Sequence, residues 1–319
     1  MADLKFSIVI PIYNEEENIP ELYGRLTHAL KELGSYEIIF VDDGSTDRSF
    51  PLLKEIAGSD RSVKLVKFSR NFGQHPAINA GFLQASGEYM VLMDADLQDD
   101  PADIKKLYDK IREGYDIVFT QIENSETSFF KKFNSMIFHF IFARLSGANT
   151  PPNIGTFRMF TRKVLRSINR YHERRIVFGP LMAFVGFSRT YLKVRKNKRT
   201  KGVTNYSFLK LFQMAVDSLS TYTMIPLSFM IYSGFFIASM SFAIAMYFIV
   251  KKITLGIAVS GYASIIIAIF FLSGVILLSL GIVGDYIFRI YQEVLNRPRF
   301  LIDETLNIGD PQGEFDEKA

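Results

Sequence analysis

The sequence predicts an α/β domain with a mostly parallel, Rossmann-like sheet, followed by helices that associate with a membrane. Short runs rich in Val, Ile, Leu and Phe recur up to residue 123, and helix-like segments lie between them. Continuous apolar runs are typical of strands buried on both faces, and alternating strands and helices are typical of parallel sheets. Two long uncharged segments after residue 217 predict the membrane part.

Five apolar runs are the predicted strands of the domain. They cover residues 6–13, 36–43, 63–69, 89–96 and 115–121. A helix is expected after the fourth run, because Asp99 and Asp100 precede Pro101, which suits a first helical turn, and Gly114 suits a helix end. Ligands of such sheets bind at the carboxyl ends of the strands, which is where acidic residues cluster in this chain.

The composition limits the classes of function. The chain has 319 residues, 48% of them hydrophobic, a net charge of +4 and no cysteine. Without cysteine it forms neither disulfides nor thiolate metal sites. The basic residues concentrate near the apolar segments, so a membrane surface is the expected partner and nucleic acid is not.

Residues 225–250 and 262–284 are predicted to be transmembrane helices, since each segment is long and apolar enough to cross a bilayer. The short connector between them predicts a hairpin. Six of the ten residues in "KVRKNKRTKG" (193–202) are basic, and further arginines follow the second segment. The positive-inside rule therefore predicts a multi-pass protein of the inner (plasma) membrane, with the domain in the cytoplasm.

The remaining segments complete the expected organisation. The domain is predicted to span residues 1–206, and within it residues 128–147 resemble an amphipathic helix lying on the membrane, or alternatively a core helix. Residues 207–222 are expected to form a juxtamembrane helix. Residues 285–319 are expected to form a cytoplasmic tail that is disordered after Asp303. A homo-oligomer is also expected.

The stretch "VLMDADLQDD" (91–100) carries the clearest chemical signal. Alternation along a strand would direct Asp94 and Asp96 to the same side. Paired carboxylates suit Mg²⁺ or Mn²⁺, and Gln98 could add a third oxygen. The alternative, a helix N-cap, fits Asp99 and Asp100 but leaves the earlier pair unexplained.

Two other strand ends carry polar residues suited to a nucleotide. Asp42 and Asp43 in "VDDGSTD" could accept hydrogen bonds from a nucleobase and a ribose, although such stretches are also common turns. Arg70 in "SRNFGQ" precedes a predicted helix, whose free N–H groups could help it bind phosphate.

Taken together, the motifs resemble those of a known family. "IVIPIYNEEENI", "VDDGSTD", "RNFGQ", "DADLQDDP" and "GTFRMFTRKV" occur in the order found in family 2 glycosyltransferases of the GT-A fold. The chain is most similar to the polyprenyl-phosphate group, which includes bactoprenol glucosyltransferases and dolichol-phosphate mannose synthases. In that group the catalytic domain is followed by R-x-x-G-x-(S/T)-x-Y, here "RTKGVTNY" (199–206), and a membrane hairpin. The resemblance covers residues 5–302.

The resemblance also implies roles for individual residues. Pro11, Tyr13, Glu15 and Asp42 would bind the nucleoside of the donor. Asp94, Asp96 and Gln98 would bind the metal ion, and Arg158 would neutralise phosphate charge. Arg199, Lys201 and Tyr206 would bind the phosphate of the acceptor.

The implied reaction is transfer of a sugar, with inversion, from a nucleotide sugar to polyprenyl (undecaprenyl) phosphate. UDP is the expected nucleotide. One residue departs from the pattern, because Thr156 stands where glucosyl and mannosyl members carry Asp. An acceptor phosphate is already mostly ionised at neutral pH, so it needs positioning more than a base. Two alternatives are a non-catalytic nucleotide-sugar-binding subunit, suggested by Thr156, and a polysaccharide synthase, disfavoured by having only two spans.

Overall fold

A computed structural model of the chain describes residues 4–123, 151, 153–171, 176, 178–197, 225–255, 261–295 and 297–308. The chain divides into two compact units. The first combines Met1–Thr204 with Pro298–Ala319, and the second is Asn205–Arg297. The first unit contains the sheet and the second contains two long helices, so the second unit is an insertion near the end of the first.

In the part of the chain that the structure describes, the first unit contains eight strands of one sheet. They are β1 Phe6–Ile12, β2 Tyr36–Asp42, β3 Val63–Phe68, β4 Tyr89–Leu92, β5 Ile117–Ile122, β6 Ile154–Thr161, β7 Arg189–Val194 and β8 Ile302–Leu306. Their order across the sheet is β7-β5-β6-β4-β1-β2-β3-β8. Only β6 and β8 run antiparallel to their neighbours, so the predicted mostly parallel sheet is confirmed.

Helices cover both faces of this sheet, which explains why its strands are continuously apolar. In the described part of the unit they are α1 Ile19–Lys31, α2 Ser49–Ser59, α3 Gln74–Gln84, α4 Asp103–Ile111, α5 Arg162–Ile168 and α6 Phe178–Phe184. Successive residues of β1 pack on opposite sides: Ile8 and Ile10 lie in the cluster with α1, α2 and α4, whereas Val9 lies in the cluster with α3, α5 and α6. The result is a three-layer α/β/α unit.

The fourth strand and the following helix are shorter than the sequence predicts. β4 ends at Leu92, so Asp94 and Asp96 lie in the following loop, and the argument from strand alternation is wrong for them. The next helix begins at Asp103 instead of residue 101. Asp100 still caps the preceding turn, because its Oδ1 accepts the Ala102 N–H at 3.0 Å.

The segment after the second unit is a strand, and the predicted disorder after Asp303 is wrong for the residues of β8. This strand pairs with β3 and covers an edge of the sheet that would otherwise be open. Lys67 Nζ lies 2.6 Å from Asp303 Oδ2, and the Asn307 amide donates to the Ala57 carbonyl oxygen at 2.6 Å. Pairing with β3 satisfies backbone groups and brings opposite charges together, which the acidic composition alone did not indicate.

The second unit contains α7 Ile225–Leu255 and α8 Tyr262–Val294, at the positions of the two predicted spans. Among the described residues, one segment is long and apolar enough to cross a membrane, Phe271–Val294, with a mean hydropathy of 2.0. Tyr232–Ile244 in α7 is apolar but shorter. The predicted two-span hairpin is therefore not confirmed. The predicted helices 128–147 and 207–222 lie outside the described residues.

Candidate functional site

The loops that follow β1 and β2 are joined to each other at the carboxyl edge of the sheet. The two strands pair in register, with Pro11 opposite Val41. Asn14 Oδ1 accepts the Thr46 N–H at 2.8 Å, and the Glu15 N–H donates to Ser49 Oγ at 2.8 Å. Parallel pairing thus brings the predicted nucleoside-binding residues of both strand ends to one place.

Asp42 has one carboxylate oxygen without a hydrogen-bond partner among the described residues. The side chain is fully buried, and the Ser45 N–H donates to Oδ2 at 3.3 Å. Oδ1 is buried without a hydrogen-bond partner among the described residues. Burial raises the pKa of this carboxyl group above its usual value. An unpaired buried acceptor is costly, so an N–H or O–H donor from a ligand would stabilise it.

Asp43 differs from Asp42, because both of its carboxylate oxygens accept hydrogen bonds from the backbone of the chain. The Phe72 N–H donates to Oδ1 at 2.6 Å and the Gly73 N–H donates to Oδ2 at 2.8 Å. These bonds fix the loop before α3, which contains Arg70. Gly44 has a φ of 68° and lies so close to this loop that a Cβ would overlap the Arg70 backbone. Asp43 therefore positions the Arg70 loop, and its direct contact with a nucleotide stays a prediction.

Arg70 is exposed on that loop. Its guanidinium lies over the ring of Phe72, 4.2 Å from the ring centroid, and Nη1 donates to the Asn71 carbonyl oxygen at 3.4 Å. A stacked guanidinium keeps its outer N–H groups available, so Arg70 is able to meet a phosphate from this side.

The loop after β4 holds the acidic centre of the site. Burial, and then the nearby charge of Asp96, raise the pKa of Asp94. Lys196, a hydrogen bond from Thr156 and Arg158 act in the opposite direction. Asp94 and Asp96 thus act on each other through their charges, and both lie in a loop and not in a strand.

Two residues that contact Asp94 received no role from the sequence. The Gln74 side-chain amide donates to Asp94 Oδ1 at 2.8 Å from the start of α3. Thr156 reaches the same carboxylate from β6, which pairs with β4. The position of Gln74 inside the quoted motif "RNFGQ" was a usable signal. The residue that departs from the family pattern therefore acts on the pKa of a predicted metal ligand.

The backbone turns sharply between Asp96 and Gln98. Leu97 has a φ of 58°, which is unusual for a residue other than glycine and costs about 1–2 kcal/mol. The Gln98 N–H then donates to Asp96 Oδ1 at 3.2 Å. Strain of this kind persists where the surrounding structure demands it, and here the Leu97 side chain is buried.

Arg158 lies beneath the acidic loop, with only 6% of its surface exposed. Nε donates to the Thr156 carbonyl oxygen at 2.8 Å, and Nη2 donates to the Gly155 carbonyl oxygen at 3.0 Å. Burial lowers the pKa of Arg158 to about 10, and the nearby Asp94 opposes this. At that pKa the side chain is still a cation at neutral pH, so it acts on Asp94 as a fixed buried charge.

Asp99 is the second correction in this loop, because it does not cap a helix. It is 2% exposed, and neither carboxylate oxygen has a hydrogen-bond partner among the described residues. Burial raises its pKa to about 6. Lys196 Nζ lies 3.9 Å from its Oδ1 and 3.4 Å from Gln98 Oε1. Nothing in the sequence singled out Lys196 beyond its place in a basic run.

Asp94, Asp96 and Gln98 are the predicted ligands of a divalent cation. No group of three or more His, Asp or Glu side chains in the described part of the chain converges on a metal-binding point. Asp94 and Asp96 would therefore supply two oxygens and Gln98 a third, leaving positions for a substrate phosphate, as Mg²⁺ sites commonly do. The unpaired oxygens of Asp99 and the mutual repulsion of Asp94 and Asp96 both favour added positive charge.

The other predicted site residues lie on the nucleoside side or beyond the described residues. Tyr13 is 46% exposed at the end of β1, which leaves its ring open to stack on a base. The predicted acceptor-binding residues lie outside the described part of the chain; they are Arg199, Lys201 and Tyr206. A cavity of about 480 Å³ between the end of α3 and α5 is lined partly by Arg162, Arg166 and Arg170. It includes none of the predicted site residues.

Comparison with known proteins identifies the family of the chain. Residues 7–168 match the family model described as glycosyl transferase family 2. The chain is 41% identical over 303 residues to an uncharacterised glycosyltransferase of Synechocystis sp., covering 94% of this chain and 95% of that protein. It is 33% identical to a prophage-derived bactoprenol glucosyl transferase of Shigella flexneri, covering 95% of this chain and 98% of that protein.

A third relative has a different sugar in its name. The chain is 36% identical over 318 residues to the undecaprenyl-phosphate 4-deoxy-4-formamido-L-arabinose transferase of Proteus mirabilis, covering 98% of this chain and 97% of that protein. Full-length similarity to named transferases, together with a family match that includes the strand ends of the site, confirms the resemblance drawn from the motifs. The chain belongs to glycosyl transferase family 2 and is a glycosyltransferase.

Proposed function

We propose that the enzyme transfers a sugar from a nucleotide sugar, with UDP as the expected nucleotide, to polyprenyl (undecaprenyl) phosphate. The observation that carries the proposal is the pair of acidic groups at the carboxyl edge of the sheet. Asp42, at the end of β2, has a buried oxygen without a hydrogen-bond partner among the described residues, and Asp94 and Asp96 lie in the loop after β4. One group suits a nucleoside and the other suits a cation on pyrophosphate. The names of two full-length relatives support the lipid phosphate as acceptor.

In the proposed reaction an acceptor phosphate oxygen attacks the anomeric carbon of the donor sugar from the side opposite the leaving group. The new carbon–oxygen bond forms while the bond to the nucleoside diphosphate breaks, and its electron pair passes to the pyrophosphate oxygen. The configuration at the anomeric carbon is inverted. No proton has to be removed, because a phosphate monoester with a second pKa near 6 is mostly ionised at neutral pH.

The residues of the chain would then act mainly by position and charge. Asp94, Asp96 and Gln98 would hold Mg²⁺ or Mn²⁺, which when bound neutralises pyrophosphate charge. Arg158 holds positive charge beneath Asp94. The Thr156 side chain lowers the pKa of Asp94, which favours the ionised form that a metal ligand needs. On this view a threonine in place of the family's aspartate is compatible with catalysis.

The acceptor is proposed to enter from the side of β7. The Asn197 N–H donates to the Gln98 carbonyl oxygen at 2.9 Å, which ties the end of β7 to the acidic loop. Arg199 and Lys201 follow Asn197 by two and four residues in the sequence. Chain connectivity therefore supports a role for this basic segment in binding the acceptor phosphate next to the metal site.

Membrane attachment completes the proposal. We infer that α7 and α8 both cross the membrane, with the first unit on the cytoplasmic face, because basic residues flank the two helices. The enzyme would then meet its lipid substrate at the headgroup plane. We also propose that the protein forms a homo-oligomer.

The test is transfer of radiolabelled sugar to undecaprenyl phosphate in detergent, using a panel of UDP-, GDP- and dTDP-sugars, with Mn²⁺ or with EDTA. The expected result is a butanol-extractable labelled lipid formed from one donor and lost with EDTA. Binding of nucleotide without any lipid product would contradict the proposal and favour a nucleotide-sugar-binding subunit. A polymeric product would instead indicate a polysaccharide synthase.

Replacing Thr156 with Val should lower kcat about 3–10-fold, because the hydroxyl that stabilises ionised Asp94 is lost. The pKa of Asp94 should rise, so the acidic limb of the pH–rate profile should move to higher pH. Thr156→Ser retains the hydroxyl and is the matched control, with activity expected within about threefold of wild type. An unchanged pH–rate profile in the Val variant would show that this hydrogen bond does not matter.

A further inference from the structure

Lys196 lies next to the acidic loop after β4, and the proposed reaction gives it no role so far. It closely follows β7, and the neighbouring Asn197 N–H donates to the Gln98 carbonyl oxygen at 2.9 Å. The Lys196 ammonium faces the side chains of Gln98 and Asp99, at 3.4 Å and 3.9 Å. The positive charge of Lys196 also acts on Asp94, where it opposes the rise in pKa that burial causes. The basic group therefore borders the place where a substrate phosphate would meet the metal ligands.

The contacts of this ammonium are loose. A well-formed N–H···O bond spans about 2.7–3.2 Å, so the Gln98 contact is long and the Asp99 contact is an ion pair without a hydrogen bond. An ammonium has three donors, and 22% of the Lys196 side chain is exposed. The group thus has both the donors and the access needed to bind a ligand.

Arg158 is less suited to the same task. Its Nε and Nη2 groups are held by the Thr156 and Gly155 carbonyl oxygens, and it is almost completely buried. A lysine is a compact charge on a flexible stem and can follow a phosphate over several ångströms. Arg158 therefore supplies fixed charge from below, while Lys196 is placed to make contact.

The proposed reaction needs such a contact. It brings a pyrophosphate and a phosphate together beside the carboxylates of Asp94, Asp96 and Asp99, all of the same sign. Charge-assisted hydrogen bonds to phosphate are among the strong ones in proteins, so a mobile cation here would offset the repulsion.

We propose that Lys196 binds a substrate phosphate oxygen directly during transfer and leaves Gln98 to do so. The inference rests on the proposed function and deepens it by adding a phosphate ligand to the same site. The phosphate belongs to the donor or to the lipid acceptor. If it belongs to the donor, replacing Lys196 raises KM for the nucleotide sugar; if it belongs to the acceptor, the replacement raises KM for the lipid phosphate.

The competing explanation is that Lys196 only offsets the buried charge of Asp99. Replacing Lys196 alone cannot separate the two, because either role would be lost. A double-mutant cycle does separate them, since Asp99→Asn removes the charge that a purely structural Lys196 would serve. The four proteins are wild type, Lys196→Met, Asp99→Asn and the double variant, each studied full length in detergent.

Lys196→Met should raise KM for one phosphate substrate about tenfold or more, both with Asp99 intact and in the presence of Asp99→Asn, with a smaller change in kcat. Lys196→Arg keeps the charge and should recover part of the loss. If the neutral pair in the double variant instead restores the wild-type KM, Lys196 acts only through Asp99 and the inference is overturned. The melting temperatures of all four proteins identify any variant that fails to fold.

Separate measurements identify the source of the phosphate and keep the two proposals distinguishable. KM is measured for the nucleotide sugar and for undecaprenyl phosphate, and equilibrium binding is measured for UDP with Mn²⁺ and for undecaprenyl phosphate. A wild-type enzyme that makes no lipid-linked sugar contradicts the proposed function, and the binding data then decide the role of Lys196. An active wild type with both KM values and both affinities unchanged in Lys196→Met contradicts the Lys196 inference alone.

Discussion

Asp96→Asn should abolish transfer, lowering kcat by about 10²–10³-fold or more, because the change removes one charged metal ligand and preserves the shape of the side chain. Asp96 and Asp94 interact through their charges, and Asp96 also accepts the Gln98 N–H. The apparent affinity for Mn²⁺ should fall with kcat. Both quantities are measured by the radiolabelled transfer assay over a series of Mn²⁺ concentrations.

Asp100→Asn is the matched control for this experiment. It makes the same chemical change four residues later in the same acidic stretch, where the side chain caps a turn by accepting the Ala102 N–H. Its transfer rate should stay within about threefold of wild type, with a small loss of stability from the weaker cap. Wild-type turnover by Asp96→Asn would remove the carboxylate pair from the metal site, whatever the control showed.

Phe300→Ala should lower the free energy of unfolding of the first unit by about 3–5 kcal/mol, because it leaves a cavity beside Phe68. Phe300 is 7% exposed, and its ring stacks on Phe68 with centroids 4.8 Å apart. The expected results are a lower melting temperature of the full-length protein in detergent and faster amide hydrogen exchange in β3, which pairs with β8.

Leu301→Ala provides the control at the neighbouring position. The Leu301 side chain is 53% exposed, and the residue contributes through its backbone, where its carbonyl oxygen accepts the Ser69 N–H at 2.9 Å. Truncation should change the free energy of unfolding by no more than about 0.5 kcal/mol. Equal melting temperatures for both alanine variants would show that the stacking of Phe300 on Phe68 does not stabilise the first unit.

The parallel core of the fold was predictable from residue pattern alone. β1, β2, β3 and β5 lie where apolar runs predicted them, because a strand covered by helices on both faces must be apolar at every position. β6 and β7 were not predicted, because antiparallel or edge positions impose no such continuous run. β8 was mistaken for disorder, since its acidic residues are stabilised by Lys67 and Lys54, which are distant in sequence.

Some residues of the candidate site were likewise predictable from the sequence, and others were not. Acidic residues at strand ends can be recognised from sequence as candidate site residues. Carboxylates are rare in strands, and parallel strands bring their carboxyl ends to one edge of the sheet. Asp94 and Asp96 lie in the loop after β4 and not in a pleated strand, so the argument from alternation was wrong and their pairing on a metal ion stays a prediction. Lys196 and Gln74 come from other elements, so the spacing around "DADLQDD" carried no information about them.

The sequence by itself thus determined the class of this protein: a family 2 glycosyltransferase with a parallel sheet and acidic strand ends, attached to an apolar helical unit. Those properties depend on local pattern and on motif order. Only the tertiary structure decided which charges face each other, that Asp99 is buried beside Lys196, and that Asp43 holds a loop instead of being free. Burial and distance set the pKa and the available hydrogen bonds of each group, and both quantities exist only after distant segments pack together.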